Sequence, residues 1–241
     1  MQQRLIGWFR WVYRRERAAP MAALTVASVT SLLLVAARIS WTGRPDYLFL
    51  AWNLFLALLP LWFALHAAEV SRSTPHRRLR LLGLSAMWLL FFPNAPYIFT
   101  DIIHLATSLH SHFWVDLSLV LMCALTGLVS GFLSLYLMQS LVARARGVLM
   151  GWVFVFGVAG LSGVGIYLGR FLRFNSWDVI AQPVALARGI GRWAGNPLSH
   201  PQTFAFPILF TIFLFVAYLM FYALTHLRPV QAPGLSQESI A

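Results

Sequence analysis

The sequence predicts an all-α, polytopic transmembrane helix bundle with about six spans. Of its 241 residues, 59% are hydrophobic and only 10% are charged, whereas a soluble domain carries about a quarter charged residues on a surface that faces water. Long apolar stretches take up most of the chain. This composition excludes a soluble cytosolic enzyme and a disordered chain. The single cysteine, Cys123, excludes an internal disulfide and a thiolate metal cage.

Six apolar stretches are long enough to cross a bilayer core of about 30 Å, which takes about 20 helical residues. The predicted spans are residues 19–38, 47–68, 80–100, 114–142, 148–170 and 204–226. We expect a single transmembrane domain at 19–228. A basic N-terminal segment, 1–18, precedes it and is expected to lie in the membrane interface, and a flexible tail, 229–241, follows it.

The arginines predict the orientation and the partners. All eighteen basic residues are arginine, and the formal net charge is +11. With the N-terminus inside, twelve arginines fall in cytoplasmic segments and six in outer segments. The positive-inside rule therefore favours cytoplasmic locations for both termini. In a membrane protein, this charge favours membrane lipids with anionic headgroups as partners, rather than nucleic acid. It does not predict an oligomeric state.

The third span is predicted to be broken near its outer end. Pro93 and Pro96 lie three residues apart there, in the run FFPNAPY. Each proline lacks a backbone donor and clashes with the carbonyl four residues earlier, and each also disfavours a helical conformation in the residue before it. A break at membrane depth is tolerated only where protein or a wet cavity satisfies the freed carbonyls. We therefore expect this segment to line a polar region.

The connection after the fifth span, residues 171–203, is too long for a tight turn. Its apolar residues recur on one helical face, which predicts an amphipathic helix on the outer surface or re-entering the membrane. Asn175 or Ser176 is the expected N-cap of this helix.

Small residues recur at helical spacing in the fourth and fifth spans. Gly127 and Gly131 form one such pair, and Gly165 and Gly169 form another within a longer row of glycines. Because lipid provides no hydrophobic driving force between helices, close backbone contact is what holds them together. Both rows are therefore predicted to be helix-packing surfaces.

Polar and charged residues collect at the predicted outer boundary, although charges in or against a bilayer are costly. The set comprises Asn94, Tyr97, Asp101, His104, Asp116, Arg170, Arg173, Asn175 and Asp178. Asp101 and His104, three residues apart, are a candidate catalytic pair in which the carboxylate orients an imidazole base. The others are candidate binding residues. Arg170 and Arg173 are also three apart and present guanidinium forks suited to phosphate oxygens.

The charged residues of this set and His104 also have a structural interpretation. Arg170 and Arg173 would extend toward headgroups at the end of the fifth span. Asp178 would stabilise the first turn of the amphipathic helix, and Asp116 would pair with an arginine. The candidate catalytic pair would simply be buried and hydrogen-bonded.

The sequence assigns no metal or other cofactor. Asp101, His104 and Asp116, with His110 or His112, offer oxygen and imidazole ligands of the types that zinc, manganese or iron accept. However, the chain has no HExxH motif, no His-x-x-x-His pair and no cluster of carboxylates. Metal binding and the identity of any cofactor therefore stay open.

Two segments resemble the DUF1361 family of bacterial membrane proteins. They are FPNAPYIFTDIIHL at 92–105 and GIYLGRFLRFNSWD at 165–178, and the resemblance extends over roughly residues 45–225. It implies a polytopic protein of about six spans in the bacterial inner membrane. It implies no activity, no cofactor and no catalytic residue.

Three classes of function remain open at this point. The first is a membrane protein with a polar outer-face pocket that binds an anionic lipid or a phosphate group. The second is a membrane enzyme acting on a lipid-linked or phosphorylated substrate through Asp101 and His104. The third is a structural or accessory protein without a ligand, in which the charges form a buried network that fixes the order of the helices.

Overall fold

The computed structural model describes residues 15–72, 78–106, 112–195 and 201–227, and among these no β-strand occurs. The α-helices are α1 (Arg15–Thr42), α2 (Leu48–Arg72), α3 (Arg78–Phe91), α4 (Asn94–Tyr97), α5 (Ile103–Ala106), α6 (Phe113–Arg146), α7 (Val148–Arg170), α8 (Asp178–Ala181), α9 (Pro183–Gly195) and α10 (Pro201–Thr225). A 3₁₀ helix, Ile98–Ile102, joins α4 to α5. Most of the predicted interfacial segment and the whole predicted tail lie outside the described residues.

The prediction of an all-α bundle with six spans is confirmed. Within the described residues, six helical stretches are long and apolar enough to cross a membrane. The first runs to Thr42 and the fourth to Arg146, several residues beyond the predicted ends. Gly43 and Gly147, with φ of 65° and 91°, follow these two helices directly. The helices thus end at residues that tolerate a left-handed backbone, and not where the apolar stretch stops.

Helix α6 is the centre of the bundle. In its most apolar window, 61% of the residues are buried, against 17% in the windows of α1 and α10. It packs against α1, α2, α7 and the broken third span. The outer helices α1 and α10 expose many of their large apolar side chains, as expected for surfaces that face lipid.

The third span is broken, as predicted. Helix α3 ends at Phe91, and the chain continues through α4, the 3₁₀ helix and α5. The backbone amide of Ala95 donates to the carbonyl of Phe92 at 3.1 Å, which is three residues earlier; in a regular α-helix the acceptor is four residues earlier. This tighter winding follows from the missing donors of Pro93 and Pro96.

Glycines on α6 and α7 hold the broken span. A Cβ built on Gly131 would lie 2.7 Å from the Cβ of Ala95, and one built on Gly165 would lie 3.1 Å from Cγ of Pro93. Because no larger residue fits without movement, these glycines allow the irregular segment to approach two helices closely. Helix packing through these pairs is confirmed.

The row of glycines in the fifth span does not pack along its whole length. Among the described residues, a Cβ on Gly157 or Gly160 would meet nothing within 4 Å, whereas one on Gly163 would lie 2.5 Å from the carbonyl oxygen of Pro207 in α10. The prediction of one continuous packing surface is therefore wrong for Gly157 and Gly160.

The amphipathic helix after the fifth span is present, but it begins later than expected. Trp177 precedes α8 and no side chain caps that helix, so the predicted capping by Asn175 or Ser176 is wrong. The chain leaves helical geometry at Gln182, with φ −139° and ψ 52°, and α9 begins with Pro183. Proline suits the first position of a helix because its missing donor would have no partner there.

Candidate functional site

A charged residue at the end of the fifth span joins three elements. Arg170 donates from Nη2 to Oδ1 of Asp101 at 2.6 Å and to Oγ1 of Thr100 at 2.6 Å. The second carboxylate oxygen of Asp101 accepts a bond of 2.9 Å from Nδ2 of Asn53 in α2. The guanidinium carbon of Arg170 also lies 4.8 Å from the ring centroid of Tyr97. We call Arg170, Asp101, Thr100, Asn53 and Tyr97 the Arg170 network, and the membrane face on which it lies the Asp101 face.

The Arg170 network is buried and electrically balanced. The side chains of Asp101 and Arg170 are 2% and 14% exposed. Both oxygens of the carboxylate accept hydrogen bonds, and the cation rests on an aromatic face that attracts it. The two predicted sequence segments therefore meet at one place. They meet as a matched ion pair, and removing one member of a buried pair is strongly destabilising because the other charge is left uncompensated.

Polar side chains also fix the loop that follows α7. Asn94 at the start of α4 donates from Nδ2 to Oγ of Ser176 at 2.9 Å. Asp178 is buried, and its Oδ2 accepts a 2.7 Å bond from the backbone amide of Asn175. The hydroxyl of Ser176 is thus bonded to Asn94, and the carboxylate of Asp178 closes the loop onto the backbone amide of Asn175.

Arg173 lies apart from Arg170. Helix α7 ends at Arg170, and Arg173 is an exposed residue with φ of 59° in the loop beyond it. The expected shared helical face of Arg170 and Arg173 is therefore wrong. The amide of Phe174 reaches back to the carbonyl of Leu168 at 3.1 Å, which reverses the chain after the helix.

A second ion pair lies on the Asp101 face. Arg38, near the end of α1, donates from Nε to Oδ1 of Asp116 at 2.6 Å and from Nη2 to Oδ2 at 3.1 Å. The two side chains are 7% and 2% exposed. We call this the Arg38 pair. Asp116 was expected to share one pocket with Asp101 and Arg170, but its position in the first turn of α6 brings it to α1, which packs beside that turn.

Tyr47, between α1 and α2, completes the surroundings of the Arg38 pair. The guanidinium carbon of Arg38 lies 5.6 Å from the ring centroid of Tyr47. Burial, and then the neighbouring carboxylate of Asp116, raise the pKa of Tyr47 to about 12. The phenol is neutral at physiological pH, as in an ordinary tyrosine, and can donate a hydrogen bond to the carboxylate of Asp116.

The candidate catalytic pair is only partly described. The backbone of His104 belongs to α5, but its side chain lies outside the described residues, as does His110. The ring centroid of His112 lies 4.8 Å from that of Trp41. Within the described part of the chain, no group of three His, Cys, Asp or Glu side chains could hold a metal ion.

Sequence reasoning missed several members of these clusters. Asn53 is a carboxamide inside an apolar span, and such a residue usually needs a buried partner. That signal was available in the sequence. Thr100, beside Asp101, gave no distinct signal. Arg38 is one of the six arginines in the predicted outer segments, but nothing local indicated Asp116 as its partner.

Comparison with known proteins defines the family of the chain. The model of the family described as "Protein of unknown function (DUF1361)" matches residues 52–217, which include the broken span, the Arg170 network and the amphipathic helix. No curated protein and no solved structure matches the chain. The chain belongs to the DUF1361 family of proteins of unknown function, and its architecture is that of a multi-pass integral membrane protein.

Proposed function

We propose that this protein binds the anionic headgroup of a phospholipid on the Asp101 face, and that this face is the outer side of a bacterial inner membrane. The arginine distribution supports this orientation, with both termini in the cytoplasm. In this proposal, the Arg170 network and the Arg38 pair position the helices. The ligand is held by other arginines, which remain exposed.

The observation that carries the proposal is the charge of the segment after α7. Arg173, Arg188 and Arg192 are exposed, and Asp178 is buried. Among the described residues no ion pair involves these three arginines. The segment therefore presents three cations outward, whereas the charge of Arg170 is compensated by Asp101. Exposed guanidinium groups suit phosphate oxygens.

Packing keeps the exposed arginines near the membrane boundary. A Cβ on Gly189 would lie 2.9 Å from the ring of Phe174, so α9 lies directly against the loop that carries Arg173. The ring of Trp193 stacks on that of Phe204, at 4.6 Å between centroids, near the start of the sixth span. The basic segment thus packs against the ends of two spans, which supports the proposal that its arginines reach the headgroups.

The same geometry favours a positioning role over a catalytic role for Asp101. Its carboxylate is nearly inaccessible and already accepts bonds from Arg170 and Asn53. A general base needs access to the proton that it removes. The enzyme alternative therefore has less support from these contacts than lipid binding or a structural role.

The proposal is tested by photo-crosslinking the full-length protein in nanodiscs to phosphatidylglycerol that carries a photoreactive headgroup. We expect crosslinks within residues 171–195. The double variant Arg188→Gln/Arg192→Gln should weaken them by about fivefold for each arginine at low salt, because each basic residue near an anionic surface contributes about 1 kcal/mol. Added salt should have the same effect.

The matched control is Arg144→Gln/Arg146→Gln, which removes two exposed arginines at the end of α6 that lies away from the Asp101 face. It should leave the crosslinks in 171–195 unchanged. Competition with inorganic phosphate separates a lipid site from a site for the free anion. Equal crosslinking of the double variant and the natural protein would overturn the proposal.

A further inference from the structure

A groove separates the last turns of α1 from the first turns of α6. Its volume is about 420 Å³, within the range of about 300–1,000 Å³ that is usual for ligand sites. Leu34, Ala37 and Leu119 give it an apolar wall, and Arg38 and Ser118 are polar residues in it. It therefore combines an apolar channel with a charged group at one membrane face.

The guanidinium of Arg38 in this groove is incompletely bonded. Nε and Nη2 donate to Asp116, but Nη1 is buried without an acceptor among the described residues. A buried donor without a partner is costly, and it needs a water molecule or a ligand to satisfy it. Because Arg38 lines the groove, an acceptor bound there would lie beside its guanidinium.

The charge of the Arg38 pair selects the type of acceptor. The pair is neutral as a whole, and the carboxylate of Asp116 repels a nearby phosphate. A neutral carbonyl oxygen is a better partner for Nη1. In a bilayer, such oxygens are the ester carbonyls of glycerolipids, which lie between the headgroups and the acyl chains.

Two tryptophans in the groove also indicate the depth between the headgroups and the acyl chains. Trp41 and Trp114 both line the groove and are 64% and 76% exposed. Tryptophan favours the boundary between hydrocarbon and headgroup, where its ring is apolar and its N–H is hydrated. Because both side chains line the groove and are largely exposed, a lipid bound there would lie against their rings.

We propose that the groove between α1 and α6 binds one glycerolipid, with an acyl chain along Leu34 and Ala37 and an ester carbonyl accepting a hydrogen bond from Nη1 of Arg38. This site is separate from the headgroup site of the basic segment. It recognises the ester linkage and not the headgroup charge.

The test compares an ester lipid with its ether analogue, which lacks the carbonyl. The full-length protein in phosphatidylcholine nanodiscs is labelled with phosphatidylcholine whose acyl chain carries a diazirine, and the labelled peptides are mapped. We expect labelling of residues 34–41 and 114–119, and roughly tenfold weaker labelling by the ether analogue, as for a lost hydrogen bond to a charged group. Equal labelling by both lipids would overturn the proposal.

Variants locate the site without disturbing the ion pair. Ala37→Phe fills the groove and should remove most of the labelling, whereas Ala36→Phe, at an exposed neighbour that does not line the groove, should not. Loss in both variants, or in neither, contradicts the proposal. Replacing phosphatidylcholine with phosphatidylglycerol should leave labelling of the groove unchanged and should increase labelling of 171–195. The glycerolipid groove and the headgroup site can therefore each be contradicted without the other.

Discussion

The Arg170 network and the Arg38 pair are two buried ion pairs on the same face, but they differ in their surroundings. Asp101 also accepts a bond from Asn53, and Arg170 also donates to Thr100 and lies against Tyr97. The Arg38 pair is bidentate, and the guanidinium of Arg38 lies 5.6 Å from the ring centroid of Tyr47, yet Nη1 of Arg38 lacks an acceptor among the described residues. The first cluster is therefore suited to locking helices together, whereas the second retains capacity to bind a ligand.

This difference predicts unequal costs when each carboxylate is neutralised. Asp116→Asn leaves Arg38 with few other partners, and we expect it to destabilise the protein by about 3–5 kcal/mol, as when one member of a buried pair is removed. Asp101→Asn should lower the stability by less, because Thr100 still accepts a hydrogen bond from Arg170 and the ring of Tyr97 still contacts its guanidinium. Reversible unfolding in mixed detergent micelles measures both.

A double substitution checks the origin of the cost. Arg38→Gln/Asp116→Asn removes both charges and should regain much of the stability that Asp116→Asn loses, because no uncompensated charge remains buried. If Asp101→Asn proves more damaging than Asp116→Asn, the comparison between the two clusters is wrong.

A smaller loss of stability is expected where Gly131 of α6 contacts Ala95 of the broken span. Gly131→Ala places a Cβ 2.7 Å from that of Ala95 and should cost about 1–3 kcal/mol through overpacking. It should also weaken the Arg170 network, because Ala95 lies on the segment that leads to Asp101. Thermal unfolding in detergent measures the loss.

Gly160→Ala is the matched control for this substitution. A Cβ there meets nothing within 4 Å in the part of the chain that the structure describes, and alanine is the better helix former, so the variant should be at least as stable as the natural protein. Equal destabilisation by Gly131→Ala and Gly160→Ala would show that the contact between Gly131 and Ala95 does not constrain the broken span.

The smallest effect is expected at Arg173, whose φ is 59°. A side chain in this left-handed conformation costs about 1 kcal/mol, a strain that glycine lacks. Arg173→Gly should therefore be more stable than Arg173→Ala by about that amount, although both remove the same charge. No difference in melting temperature between the two would mean that the loop is not held in this conformation.

The sequence by itself determined the membrane class, the six spans and the break at Pro93 and Pro96. These features depend on local properties: the length of an apolar stretch against the bilayer, and the covalent geometry of proline. The sequence also placed the charged site residues at one membrane boundary. A charge in hydrocarbon is costly whatever the tertiary structure, so charged residues occur near the ends of the spans.

Only the tertiary structure decided which charges are partners. Asp101 lies 69 residues from Arg170 and 48 from Asn53, and Asp116 lies 78 residues from Arg38. Such pairs form because α6 packs between other helices and because its glycines admit the broken span, and neither relation is encoded in a local pattern. The termination of α7 at Arg170 likewise separated Arg173 from its predicted partner and left it exposed at the surface.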